Sequence, residues 1–293
     1  MRVHPGIKGG ITVVKIKFHA NWCSDENIRE CFNHCTKNND YIWNDLFITK
    51  EEDYDFFIIM NHPQHQNFDP AKTIIFQCEP ESTRYYWGEF YKPDKNKFFK
   101  VYDIENYHLV DKWYINLNYQ QLLNGDFTKT KIMSGVISGL NWLEGHRDRF
   151  EFLKNLNTLP FYEHYGRGEF GFMNCYKGAP LNKENGLIPY KYHFNSENSY
   201  EKNYFTEKII DPILCECLCF YDGCPNIEEF IDPEAFIRID IKNPEEALER
   251  IKDCIANNEY EKRIGAIKKE KIRLMNERNP LNLIDKIIKG EIK

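Results

Sequence analysis

Short apolar runs of strand length recur along this chain, and most are followed by a stretch with helical spacing. Residues 11–18 (ITVVKIKF) are rich in β-branched side chains, as a buried strand requires. Residues 55–60 (DFFIIM) and 73–77 (TIIFQ) are of the same kind, and each stops at a loop, Asn61-His62-Pro63 and Glu79-Pro80. Residues 22–35 intervene, with Ser24 placed to cap a helix and Asp25 and Glu26 in its first turn. Strands separated by helices need crossover connections. The pattern therefore predicts an α/β protein with parallel sheets covered on both faces.

The second half repeats the pattern. Residues 131–138, 191–194 and 218–221 read as strands, and 146–156 and 206–217 as helices. Asn243 as cap, Pro244 at the first helical position and Glu245 and Glu246 behind it predict a further helix. A chain of 293 residues has room for about two domains. The polar break at Leu123-Asn124-Gly125-Asp126 predicts a first domain over 1–125, a second over 126–265 and a basic helical tail over 266–293. Ligands of such sheets bind beyond the carboxyl ends of the strands, here in the cleft between the halves.

The formal charge of −6 argues against a nucleic-acid binder. It is unevenly spread: residues 262–293 hold ten basic and four acidic residues, a net +6, leaving −12 on the rest. A basic amphipathic tail predicts a helix packed back on the protein or weak contact with an anionic membrane surface. No apolar run reaches the roughly 18–20 residues of a membrane span. Residues 1–6 show no signal-peptide pattern, and no Asn-x-Ser/Thr sequon occurs. With ten cysteines grouped as Cys31/Cys35 and Cys215/Cys217/Cys219/Cys224, this predicts reduced thiols and a cytoplasmic location. Neither group has the paired Cys-x-x-Cys spacing of a zinc site, so no metal is expected. Trp22 reads as a core residue at a helix start, and His19, His62 and His65 remain without a role.

The most informative stretch runs from Tyr192 to Ile210. A strand ends in Glu197-Asn198, a polar loop follows, and a helix opens at Thr206-Glu207-Lys208. A helix N-terminus offers free N–H groups and partial positive charge to an anion. Lys208 is misplaced for the helix dipole unless an anionic ligand lies beside it. Glu207 can accept hydrogen bonds from sugar or ribose hydroxyls, and Tyr204 can pack on a sugar or base. Polar Asn195 and Ser196 at the strand end, Pro212 inside the next helix and the Cys215-Glu216-Cys217-Leu218-Cys219 run are the irregular features here.

These residues resemble glycosyltransferase family 10, the α-1,3/1,4-fucosyltransferases. The match runs through Tyr192-x-Phe194, Glu197-Asn198, Tyr204-x-Thr206-Glu207-Lys208, Tyr221-x-Gly223-x-Pro225, Phe230-Ile-Asp-Pro233 and Phe236-Ile237. Arg149, with Phe152 and Leu156 at +3 and +7, is similar to the family's diphosphate-contacting Arg. Arg147 has only the Phe at +3 and fits less well. Glu79, just past the strand over 73–77, is similar to the Glu proposed as the family's catalytic base. The irregular features depart from the family pattern and bear on substrate identity.

The resemblance implies a GT-B fold, two Rossmann-like domains whose parallel sheets face each other across a cleft, with a final helix crossing back to the N-terminal domain. It implies an inverting transferase that moves a sugar, L-fucose above all, from GDP-fucose to a hydroxyl of a glycan or glycoprotein acceptor, with no cofactor required. Glu79 would act as base, and Arg149 and Lys208 would balance the departing diphosphate. Glu197, Asn198, Tyr204 and Glu207, with Arg149 and Lys208, would bind the donor. The alternatives are another GDP-sugar donor or a silent nucleotide- or sugar-binding module. Residue by residue, Glu79 also reads as a solvated strand-end acid, Arg149 as a snorkelling helix residue and Glu197 as an acceptor that fixes its loop.

Overall fold

The computed structural model describes residues 13–64, 67–88, 90–106 and 113–292. The start of the first predicted strand and His65 lie outside these. The first domain is built from β1 (Val14–Ala20), α1 (Asp25–Asn33), β2 (Ile42–Trp43), β3 (Leu46–Ile48), β4 (Phe56–Met60), β5 (Thr73–Gln77), α2 (Glu81–Tyr86), β6 (Lys100–Asp103) and α3 (Tyr119–Asn124). Its sheet has the order β2-β3-β1-β4-β5-β6 and is parallel except for the β2–β3 pair. Ile58, Ile59, Ile74 and Ile75 are fully buried on both faces of the adjacent strands β4 and β5, which is why these runs are apolar without alternation. Ser24 caps α1 as expected, accepting from the Asn27 N–H at 3.2 Å.

The second domain comprises β7 (Lys131–Val136), α4 (Glu144–Leu156), β8 (Tyr162–Tyr165), β9 (Tyr190–Ser196), α5 (Glu207–Leu214), β10 (Leu218–Asp222), β11 (Phe236–Arg238) and α6 (Pro244–Ala256). All five strands are parallel, in the order β11-β10-β9-β7-β8. The register sets Phe220 beside Phe194 and Asp222 beside Ser196, so the two strands reach the cleft together.

Two local expectations change, and the irregular Pro212 is accommodated. The helix expected over 206–217 ends at Leu214. Glu216 adopts a left-handed conformation (φ 61°), and Glu216 N and Cys217 N bond back to Ile213 O and Pro212 O at 2.9 and 2.8 Å. This closes the helix as a Schellman turn with Glu in the usual Gly position. Pro212 does not break α5. It withholds an N–H from the Lys208 carbonyl, and the Cys219 thiol faces that oxygen at 4.0 Å. Asn243 does not cap α6 through its side chain, whose Nδ2 donates instead to Glu246 at 2.7 Å.

Residue 266, the expected start of the tail, lies inside α7 (Glu259–Asn276), which is followed by α8 (Pro280–Ile288). α7 begins on the second domain, where Tyr260 N donates to the Tyr192 hydroxyl at 3.1 Å. It ends on the first, where the Tyr119 hydroxyl donates to Asn276 at 2.8 Å. From there Asn279 donates to the Cys35 carbonyl, and Asp285 accepts from Asn44, each at 2.9 Å. The tail's positive charge is partly spent internally: Lys271 sits 2.9 Å from Glu216, and Lys289 3.0 Å from Asp285. Among the described residues no helix is long and apolar enough to cross a membrane.

Candidate active site

The β9–α5 loop organises the cleft because its two ends are tied together. Glu197, the residue after β9, is fully buried. Its carboxylate accepts from the Thr206 N–H (2.8 Å), the Thr206 hydroxyl (2.8 Å) and the Tyr221 hydroxyl (3.2 Å). Lys208 Nζ stands 3.4 Å from Glu197 and 3.6 Å from Glu207. Thr206 caps α5, accepting from Lys208 N at 3.4 Å and from Lys208 Nζ at 3.0 Å. Burial works against the Lys208 charge, but Glu207 and Glu197 outweigh it and hold the ammonium above its usual range.

Arg149 enters from α4 and is 3% exposed. Its Nη1 donates to the Ser196 carbonyl at 3.2 Å and to Asn198 Oδ1 at 3.4 Å, both neutral acceptors. Its Nε is buried without a hydrogen-bond partner among the described residues. Arg147 is exposed and donates to the Trp142 carbonyl at 2.6 Å, away from this cluster. α4 approaches the loop closely at Gly145, where a Cβ would lie 2.6 Å from the Asn198 carbonyl oxygen.

Sequence reasoning missed three members of this constellation. Lys183, from a short 3-10 turn, pairs with Asp211 at 2.7 Å and with Glu207 at 3.6 Å. Asp211 is fully buried, accepts from Tyr114 N at 3.2 Å and is pushed by burial up to about 6. Burial would also raise Glu207, but Lys208 and Lys183 hold it down to about 2. His146 lies near Arg149, and burial, then Arg149 and Lys208, push it down to about 4, so it is neutral at pH 7. Asp211 and His146 had a helical signal, at i+4 from Glu207 and i−3 from Arg149. Lys183 had none, because it reaches the site through tertiary folding.

Glu79, two residues past β5, reaches the same cleft. Tyr204, 1% exposed, donates from its hydroxyl to Glu79 Oε2 at 3.0 Å across the domain boundary. Glu79 lines a pocket of about 290 Å³ with Arg84 and Glu201. An adjoining cleft of about 530 Å³ is lined by Tyr86 of the first domain and Asn198, Tyr200 and Asp222 of the second. Glu79 thus lines one of these spaces and Asn198 the other, while Arg149, Lys208 and Glu207 are packed behind the loop and are not among the residues that line either.

Other candidates resolve into structural roles. His19 Nδ1 donates to Asp25 Oδ1 (2.7 Å) while its Nε2 accepts from Gln64 N (3.1 Å), so both ring nitrogens are engaged. Trp22 is 39% exposed, not a core residue. Cys215, Cys217 and Cys219 are buried, and burial pushes their thiols up. Among the described residues no group of three or more His, Cys, Asp or Glu side chains is arranged to hold a metal.

Residues 127–271 match the model of the glycosyltransferase family 10 (fucosyltransferase) C-terminal domain. The chain belongs to glycosyltransferase family 10. That span takes in Arg149, the whole β9–α5 loop and Lys208, whereas Glu79 lies outside it. A 72-residue stretch is 36% identical to the alpha-(1,3)-fucosyltransferase FucT of Helicobacter pylori, covering 24% of this chain and 15% of that protein. Over 90% of the chain the fold is similar to a crystal structure of an alpha1,3-fucosyltransferase with GDP (TM-score 0.55, 20% identity, 84% of that chain). A crystal structure of an alpha1,3-fucosyltransferase with GDP-fucose is similar over the same share (TM-score 0.52, 22% identity, 84% of that chain). A glycosyltransferase from Rickettsia africae matches over 96% of this chain and 98% of its own (TM-score 0.54, 11% identity). The fold of this family 10 chain is GT-B.

Proposed function

We propose that this family 10 protein is an inverting glycosyltransferase that moves L-fucose from GDP-fucose to a hydroxyl of a glycan acceptor. The observation that carries the reading is the Tyr204–Glu79 hydrogen bond, which sets an acid of the first domain beside the loop that holds Arg149 and Lys208 in the second. Family membership and the GDP and GDP-fucose complexes among its structural relatives support the donor.

The chemistry follows from the side chains. Glu79 takes the proton of the acceptor hydroxyl, whose oxygen attacks the anomeric carbon from the face opposite the diphosphate. The bond from that carbon to the diphosphate oxygen breaks, and GDP leaves with the electron pair. Charge builds on the diphosphate as the bond opens. Arg149, hydrogen-bonded among the described residues to neutral acceptors and with Nε unpaired among them, is the cation best prepared to receive it. Lys208 contributes from the α5 N-terminus. Asn198 donates and accepts hydrogen bonds and Glu207 accepts them at the nucleotide and sugar, and Glu197 keeps the loop closed around them.

A panel of GDP-fucose, GDP-mannose, UDP-glucose and CMP-sialic acid, read as nucleotide release over a glycan array, tests this. Release of GDP from GDP-fucose with sugar transfer supports the reading. Release from another GDP-sugar alone replaces fucose, and stabilisation by GDP without release from any donor indicates a silent module.

A further inference from the structure

We propose that Tyr204 is a positioning residue for the Glu79 carboxylate, held by the donor domain so that loop and base move as one unit. The inference rests on the transferase reading above.

Three cross-domain hydrogen bonds leave one short segment of the β9–α5 loop. The Ser82 hydroxyl donates to the Glu201 carboxylate, Asn203 Nδ2 donates to the Ile104 carbonyl at 2.8 Å, and the Tyr204 hydroxyl donates to Glu79 at 3.0 Å. Asn203 is in the left-handed region (φ 65°), and its N–H is fixed on Asn226 Oδ1 at 2.8 Å. The next anchor is Thr206, tied by two of its groups to buried Glu197. Tyr204 is therefore clamped on both sides in sequence. Tyr204 is buried, and its hydroxyl reaches the Glu79 carboxylate, which lines the pocket.

A general base needs its oxygen within hydrogen-bond reach of one proton, in one orientation. A phenol donating to the charged carboxylate supplies both orientation and a preference for the ionised form. Burial, then Glu79, push the Tyr204 hydroxyl well above its usual range, so it stays a donor. Among the described residues, the other charged groups that line the pocket with Glu79 are Glu81 and Arg84 of α2, Lys92 and Lys95 beyond it, Asp103 and Glu105 at the end of β6, and Glu201. Glu81 pairs with Lys92 at 2.5 Å and Asp103 with Lys95 at 3.0 Å. None of them changes when one hydroxyl is removed, so a Tyr204→Phe comparison isolates the phenol.

The test uses the full chain with GDP-fucose as donor and water as acceptor. GDP release is measured against pH, and GDP affinity by calorimetry. For Tyr204→Phe the expected result is a fall in kcat on the order of tenfold and an acid limb displaced upward by about half a pH unit or more. GDP affinity stays within about twofold. An acid limb in the wild-type position overturns the inference, as does a loss confined to GDP affinity, which would make Tyr204 a donor contact. If the wild type neither binds GDP nor releases it, the transferase reading fails and takes this inference with it. A wild type that does both, with an unmoved acid limb in the variant, removes the inference alone.

Discussion

Lys208 Nζ and Glu197 Oε2 lie 3.4 Å apart at opposite ends of the β9–α5 loop, and Glu197 is fully buried. The pair makes the loop a closed ring: strand end, polar segment and helix start are locked by one carboxylate. It also sets two carboxylates against the Lys208 charge, since Glu207 stands on its other side. In the proposed reaction the positive charge that meets the diphosphate would be shared between a compensated lysine and a less compensated arginine.

Glu197→Gln is expected to cost stability before it costs anything else. Removing one partner of a buried ion pair typically costs about 3–5 kcal/mol. A urea melt should show the midpoint fall with an unchanged slope. Retained stability would mean that the Thr206 and Tyr221 hydrogen bonds hold the loop without the charge.

Arg149→Lys is expected to weaken GDP binding at least tenfold, because an ammonium cannot keep both the Ser196 and Asn198 contacts and still address a ligand. Arg147→Ala should leave GDP affinity unchanged, since that side chain is exposed and turned to the Trp142 carbonyl. Calorimetric titration of both variants with GDP separates the two arginines.

Gly145→Ala is expected to disrupt the site through the backbone. Its Cβ would lie 2.6 Å from the Asn198 carbonyl oxygen and 2.8 Å from that of Glu197, so α4 or the loop must shift. A shift of this kind moves Arg149 away from Ser196. Loss of GDP affinity with a lowered Tm is the expected outcome.

Asp211 gives a pH signature. Its native pKa of about 6 lies above the ordinary aspartate value of 3.8, so the native state retains a proton that the unfolded chain releases between these values. This group's contribution to stability therefore falls as pH rises from about 4 to about 6, by on the order of 3 kcal/mol at most. Glu207, held down to about 2, acts the opposite way: its stabilisation is present above about 4.5 and is lost as pH falls towards 2. His146 and His164, each pushed down to about 4, add stability as pH rises to 6.5. The diagnostic readout is thus the difference between Asp211→Asn and wild type. Relative to wild type, the variant should gain stability between pH 4 and 6 in denaturant melts. Parallel curves would contradict the raised value.

What the sequence made legible was local. The strand runs over 55–60 and 73–77, the Ser24 cap and the strand–loop–helix unit ending in Thr206-Glu207-Lys208 depend on neighbours within a few residues, and they stand as read. The polar Asn195-Ser196 pair looked irregular because its partners are distant: the Ser196 hydroxyl donates to Asp222 at 3.1 Å and its carbonyl accepts from Arg149. The Tyr204–Glu79 bond joins residues 125 apart, and Lys183 meets Asp211 across 28 positions, so no periodicity announces either. Strands β2, β3, β6, β8 and β11 are two to four residues long, too short to show a period of two.

The most direct test of the account is GDP release from GDP-fucose by wild type and Glu79→Gln, paired with GDP titration of both. The account predicts release by the wild type, its loss by at least a hundredfold in the variant, and equal GDP affinity, since Glu79 handles the proton and not the diphosphate. Release at the wild-type rate by Glu79→Gln would contradict it.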